Sequence, residues 1–354
     1  MVRTVPENFP PGSDVAIMSV LGYDPKKYYT GRAPLEAAAM GLKLTDDQMV
    51  FRCNLVTIID GIMEDFSAGH ISTEEAKKII EALNEKLSDE MKVKFHAGVS
   101  YRHLMVASPA EKFKNFHATP PHDITGKAVD DFLPKGGGSD FIIELMDHSQ
   151  EYLSDLEVNQ VRKDLGENPA TSIWLWGQGQ KPIIDRFKTL YGITGAAITA
   201  VDLVRGLGKL IGWKIIEVPG ATGWVDTNYE GKAQAAADAL DKVDIVVVHI
   251  EGPDEAGHNG DYKNKVYALE QIDEKIVNPL LKKLNTFDAW RIMVLPDHPT
   301  PVSVKTHTSS PVPFVMSGTG IAKTGMENFT EDQAAKTGLK IDRGYQLMEY
   351  FLKE

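Results

Sequence analysis

Short β-branched runs alternate with helical stretches through the C-terminal half of the chain, and this alternation restricts the fold more than any other feature. Residues 213–218 read as a strand, residues 231–242 as an Ala-rich helix, and residues 244–249 as a buried strand. Across residues 262–284, Val266, Leu269, Ile272, Ile276 and Leu280 form one apolar helical stripe, and residues 292–295 make the next strand. Such alternation implies an α/β fold, a mostly parallel sheet flanked by helices. Open sheets of this class bind ligands beyond the carboxyl ends of their strands. Chemistry is therefore expected just after residues 249 and 295.

The rhythm changes between residues 51 and 165. Ser72-Thr73-Glu74-Glu75 is a helix start in which Ser72 caps and Glu75 closes the capping box, and Ala76, Ile79, Ile80, Leu83 and Leu87 keep helical spacing behind it. A polar, His-bearing strip and the flexible PKGGGS at 134–139 follow. This places an inserted α+β domain at 51–165, inside a discontinuous domain made of 1–50 and 166–354. At 354 residues the chain has room for both. The excess of 50 acidic over 38 basic residues, a net charge of -12, argues against a broad nucleic-acid or anionic-membrane surface. An anionic ligand would need a locally basic pocket. Cys53 is the single cysteine, so no intrachain disulfide forms, and a reducing cytoplasm is the expected compartment. No apolar run approaches the length of a membrane span.

After the strand ending at His249 comes EGPDEAGH, with Asp254 and His258 four residues apart, a spacing that lets a carboxylate and an imidazole converge on one metal. The next strand ends in LPDHP, placing Asp297 and His298 at the same rim, and His307 follows in THT. Acid and imidazole side chains at one functional rim point to a pair of divalent-metal sites, with ligands that suit Mn²⁺ or Zn²⁺ better than Ca²⁺. His249, alone on an apolar strand, reads as a satisfied core residue. Near the N-terminus, PPGSD ends in a turn whose Ser13 is either a plain helix N-cap or a hydroxyl presented for chemistry. A cation beside it would make that hydroxyl a competent nucleophile toward phosphorus. Arg52, Arg102, His103, Arg205, which follows a helical run from Ala196, and Lys232 are available for anion binding. Taken singly, each also reads as a solvated charge.

The motifs PPGSDVA with SVLGYDP, RCNLVT, VSYRHLMV, PPHDITGK, IWLWGQGQKP, YGITGAA, DTNYEGKA, DEAGHNGDY and DHPTP followed by KTHTSSPVPFVM span nearly the whole chain in order. Together they resemble the archaeal-type cofactor-independent phosphoglycerate mutases of the alkaline phosphatase superfamily. The resemblance implies an alkaline-phosphatase-like metal-binding domain interrupted by a substrate-binding domain that closes over glycerate. It implies glycolytic interconversion of 3-phosphoglycerate and 2-phosphoglycerate through a phosphoserine, with no 2,3-bisphosphoglycerate. Two divalent ions are implied, Mn²⁺ first, with Zn²⁺, Co²⁺ or Mg²⁺ as alternatives. By motif, Ser13 is the phosphorylated serine and ligates one metal with Asp297 and His298, while Asp254, His258 and His307 hold the second. Lys232 bridges substrate and phosphoserine, and Arg52, Arg102, His103, His122, Asp123 and Arg205 face the substrate. The family pattern also places an apolar strand and a metal-ligating Asp-Gly upstream of PPGSD. Nothing of that kind precedes Val2, so an N-terminally truncated phosphatase-like domain is expected. Two other functions fit the same residues: a homoserine kinase-like or other phosphoryl transfer, and an inactive paralogue that only binds.

Overall fold

The computed structural model describes residues 1–353, apart from the side chain of Glu90. The chain divides into two compact units, Met1–Tyr29 with Ile183–Glu354, and Thr30–Pro182.

The Thr30–Pro182 unit is built on β1 (Met49–Ile59), β2 (Ile62–Asp65), β3 (Val93–Val99), β4 (Arg102–Ala107) and β5 (Ser172–Gln180). β1 lies between β4 and β5, antiparallel to both, and its last residues form a hairpin with β2. Alternation along β1 sends Phe51, Cys53 and Leu55 into the main core, under helices Thr73–Met91 and Ser139–Leu153. Val50, Arg52 and Asn54 take the opposite face, where helix Arg32–Ala39 sets Ala33 and Ala37 against Val50, Leu104 and Val106. The predicted capping box is present: Ser72 Oγ accepts from the Glu75 N–H, and Glu75 accepts from the Ser72 N–H. Buried Arg162 secures that cap by donating to the Glu75 carboxylate at 3.1 Å and to the Ala68 carbonyl at 2.9 Å. Burial pushes the Cys53 thiol far up, which leaves it unreactive. This unit is wider than residues 51–165, because helix Arg32–Ala39 and β5 both need β1 as a packing partner.

The other unit holds β6 (Gly195–Ile198), β7 (Lys214–Ile216) and β8 (Ile245–Val248) in a parallel sheet of order β7-β6-β8. Ala196 thus opens no helix; it lies in a strand, and Arg205 sits in helix Asp202–Ile211 that follows. Leu203, Val204, Leu207 and Ile211 of that helix pack with Ile17 and Met18 of helix Ser13–Val20. β9 (Arg291–Val294) pairs antiparallel with β10 (Val315–Gly318) as a separate ribbon. The stretch 262–284 is helical but changes register, since Tyr262–Ile272 passes through a π-helical segment, Asp273–Val277, into Asn278–Leu284. Pro279, without an N–H, stands in the first turn of the last piece. The wider π turn rotates the expected stripe: Ile276 is buried against Tyr229 and Ala233, whereas Val266 and Leu269 are 49% and 53% exposed. Among the described residues, no helix is long and apolar enough to cross a membrane.

Candidate active site

The carboxyl ends of β8 and β9 deliver the two acid–His clusters to one place. Helix Gly252–His258 carries Asp254 and His258 one turn apart, with His258 Nε2 3.3 Å from Asp254 Oδ2. His307 Nε2 lies 3.4 Å from Asp254 Oδ1 and 2.8 Å from His258 Nε2. The His298 ring stands 3.9 Å from the His307 ring, centroid to centroid. Thr300 donates its hydroxyl to Asp254, and the close approach demands Gly257, where a Cβ would overlap the Thr300 carbonyl.

This donor set fits divalent cations. His258 Nδ1 faces the Lys305 carbonyl at 3.2 Å and His307 Nδ1 faces the Pro11 carbonyl at 3.1 Å. Those contacts assign the proton to Nδ1 in both rings and leave two Nε2 lone pairs pointing at each other and at a carboxylate. A cation satisfies all three. One group of potential ligand atoms, from Asp254, His298 and His307, lies within 4.8 Å of one another and draws on both of the expected ligand sets. In addition, Asp297 Oδ2 is buried with no hydrogen-bond partner among the described residues. An acceptor left bare in this way is costly unless a cation meets it. Burial pushes the Asp254 carboxyl up, but the hydroxyl of Thr300 and the imidazoles of His258 and His307 beside it outweigh burial and hold the group far below the ordinary carboxylate range.

Ser13 joins the cluster from the other end of the chain. It is the first residue of helix Ser13–Val20, and Gly12 occupies the N-cap position with no side-chain cap. The plain-cap reading therefore falls away. Ser13, 9% exposed, places Oγ 3.0 Å from His298 Nε2. Its neighbour Asp14 is fixed by Tyr29, whose hydroxyl donates to Oδ2 at 2.5 Å.

Lys232 is fully buried, and its Nζ donates to the His249 carbonyl at 3.2 Å. Burial lowers its pKa to about 8, with Glu251 opposing the shift. His249, read from sequence as core, lies between Thr199 Oγ1 at 3.1 Å and Glu251 Oε2 at 3.3 Å. Burial lowers it to about 4 although Asp297 and Asp254 act on it, so it is neutral and belongs electrostatically to the site. Thr300 and Glu251 were not singled out by sequence. Arg205 is occupied by Glu217 at 2.8 Å and Asp202 at 3.6 Å, and its Nε reaches the Thr199 carbonyl at 3.5 Å.

A second cluster lies wholly within the Thr30–Pro182 unit. Arg52 is paired with Glu36 and lies 4.2 Å over the Trp176 ring, and His122 meets the same ring edge-on at 5.4 Å. Arg102, opposite Asn54 in the β1–β4 register, shares this face. Asp123 is exposed beside His122, 3.8 Å from its Nε2. His103 does not join them. It pairs with Cys53 on the core face, where its Nδ1 accepts from the Gly98 N–H at 3.0 Å and burial lowers its pKa to about 3. Arg102 and His103 are adjacent in a strand, so period-2 alternation separates them.

A family model described as 2,3-bisphosphoglycerate-independent phosphoglycerate mutase matches residues 1–159. Over 355 residues the chain is 50% identical to the protein of that name from Methanosarcina acetivorans, covering 100% of this chain and 89% of the relative. The solved PH0037 protein from Pyrococcus horikoshii matches with a TM-score of 0.79 at 26% identity, over 97% of this chain and 83% of that one. For the cofactor-independent phosphoglycerate mutase from Thermoplasma acidophilum the TM-score is 0.62 at 26% identity, with 97% and 86% covered. With identity at this level sustained from end to end, and the acid–His clusters assembled in one place beyond the carboxyl ends of β8 and β9, the chain belongs to the 2,3-bisphosphoglycerate-independent phosphoglycerate mutases.

Proposed function

We propose that this chain interconverts 3-phosphoglycerate and 2-phosphoglycerate by passing the phosphoryl group through Ser13. The observation that carries the reading is the seryl Oγ at 3.0 Å from the buried His298 Nε2, inside a cluster of half-buried acid and imidazole groups. Ser13 Oγ attacks phosphorus, and the bond from phosphorus to the substrate oxygen breaks as the seryl ester forms. Bound glycerate reorients, its other hydroxyl oxygen attacks the phosphoserine, and Ser13 Oγ leaves. Lys232, held by the His249 carbonyl, presents an ammonium to the phosphoryl oxygens and to the departing alkoxide. Glu251 favours its charged form.

Asp297 and His298, with Ser13, would hold one divalent ion, and Asp254, His258 and His307 a second, with Mn²⁺ or Zn²⁺ suited to the mixed donors and Mn²⁺ put first by the family resemblance. Such ions supply positive charge that acidifies a hydroxyl and offsets charge on phosphoryl oxygens. Arg52 and Arg102, with His122 and Asp123 at the margin, form the face that receives substrate oxyanions. The relatives' names favour this reading over a homoserine kinase-like or purely binding role. A reducing cytoplasm suits the lone buried thiol of Cys53.

The test is conversion of 3-phosphoglycerate to 2-phosphoglycerate with Mn²⁺ and without 2,3-bisphosphoglycerate, and phosphorylation of homoserine from ATP in place of this conversion would sink the reading. Because Lys232 acts as an ammonium and titrates near 8, kcat/KM is expected to fall as pH rises through about 8. In Lys232→Arg, whose guanidinium does not titrate there, that limb should vanish from the profile measured up to pH 10.

A further inference from the structure

Glu36 puts a negative charge among arginines on the face that carries Arg52 and Arg102. Its carboxylate, 15% exposed, accepts from Arg52 Nε at 3.0 Å and from Arg32 Nε at 3.3 Å. Burial pushes the carboxyl up, but Arg52 and Arg32 outweigh burial and keep it ionised, with Arg102 acting in the same sense. Electrostatics alone would make this residue a hindrance, since a carboxylate lowers the positive charge available to an incoming anion.

The geometry of Arg52 supplies a reason for it. Glu36 takes Nε, and the guanidinium lies over Trp176 at 4.2 Å. Trp176 is itself fixed, because its indole N–H donates to Asn54 Oδ1 at 3.0 Å. Beneath Arg52 the chain bulges at Gly177, where φ is +59° and a Cβ would come within 3.3 Å of Arg52 Cδ. The Arg52 side chain is only 7% exposed, yet its two terminal nitrogens meet no acceptor among the described residues. A guanidinium held by Nε and by one ring face keeps its terminal pair for a bidentate partner, and phosphoryl and carboxylate oxygens match that fork.

Resting on the reading that this face receives phosphoglycerate, we propose that Glu36 is its positioning residue. By engaging Nε it locks Arg52 so that the terminal nitrogens, together with Arg102, form a preset fork for one anionic end of the substrate. The orientation gained outweighs the repulsion the carboxylate introduces.

The two effects of Glu36 differ in sign, which makes the proposal testable by titration calorimetry and steady-state kinetics on the full chain. The probes are 3-phosphoglycerate and inorganic phosphate. Glu36→Gln removes the charge and keeps the shape; it is expected to weaken 3-phosphoglycerate binding and raise KM about tenfold, with kcat changed less than about twofold. Glu36→Asp keeps the charge but withdraws it by one methylene, and is expected to weaken binding at least about threefold. Unchanged or tighter binding in Glu36→Gln overturns the proposal, because that is the behaviour of a bystanding charge. Should Glu36→Gln fail to fold, unchanged binding in Glu36→Asp overturns it equally. Arg52→Ala separates this proposal from the reading beneath it. If Arg52→Ala binds as tightly as wild type, the face is not the substrate site; if it binds about 100-fold more weakly while both Glu36 variants match wild type, only the role of Glu36 fails.

Discussion

Ser13→Ala is expected to lose about 10⁴-fold or more in mutase turnover while folding normally, because removing the nucleophile of a unit that acts together removes nearly the whole effect of that unit. Folding should survive since Gly12, not Ser13, occupies the helix N-cap, and among the described residues the Ser13 hydroxyl is hydrogen-bonded to His298 Nε2 alone. Loss of that one bond costs about 1 kcal/mol. The check is the coupled assay beside a urea denaturation curve. Full turnover in Ser13→Ala would remove the phosphoserine route whatever the substrate. A large drop in unfolding midpoint would mean that lost activity reports damage instead of chemistry.

The second large effect is expected at Asp254. Its carboxylate lies 3.3 and 3.4 Å from the Nε2 atoms of His258 and His307 and accepts the hydroxyl of Thr300, so it is the negative centre around which the imidazoles gather. Asp254→Asn keeps the shape and deletes the charge. It is predicted to lower divalent metal retained after dialysis, and to cut kcat by about 10³-fold, the scale of losing electrostatic stabilisation at a phosphoryl-transfer centre. Chelation of the wild type should give the same loss, reversed by Mn²⁺. Elemental analysis together with the assay decides it: retention of metal at wild-type level in Asp254→Asn would show that Asp254 is not a ligand.

Much of this site is legible in the sequence, for a physical reason. Ligands gather where strands end, so EGPDEAGH after β8 and LPDHP after β9 disclosed themselves by position as well as by residue type. The capping box at Ser72 was equally readable because it is local. What escaped depends on distant parts of the chain meeting. Glu36 reaches Arg52 only because helix Arg32–Ala39 crosses the face of β1, and nothing within a local window reports that crossing. The unit boundary at Thr30 and Pro182 follows from β5 pairing with β1 more than a hundred residues earlier in the chain. His249 looked like core because its strand is apolar, while its partners Thr199 and Glu251 come from a neighbouring strand end and from its own following loop. His103 had a readable signal that the motif obscured: once 102–107 is taken as a strand, adjacent residues must point to opposite faces.

The central claim is that Ser13 carries the phosphoryl group during turnover. Wild-type chain mixed with Mn²⁺ and 3-phosphoglycerate, quenched in acid within one turnover and analysed by peptide mass spectrometry, should show phosphate on the peptide containing Ser13. None should appear on that peptide from Ser13→Ala. Active wild-type enzyme that shows no phosphorylation at Ser13 under these conditions, or phosphate at another residue, would contradict the account.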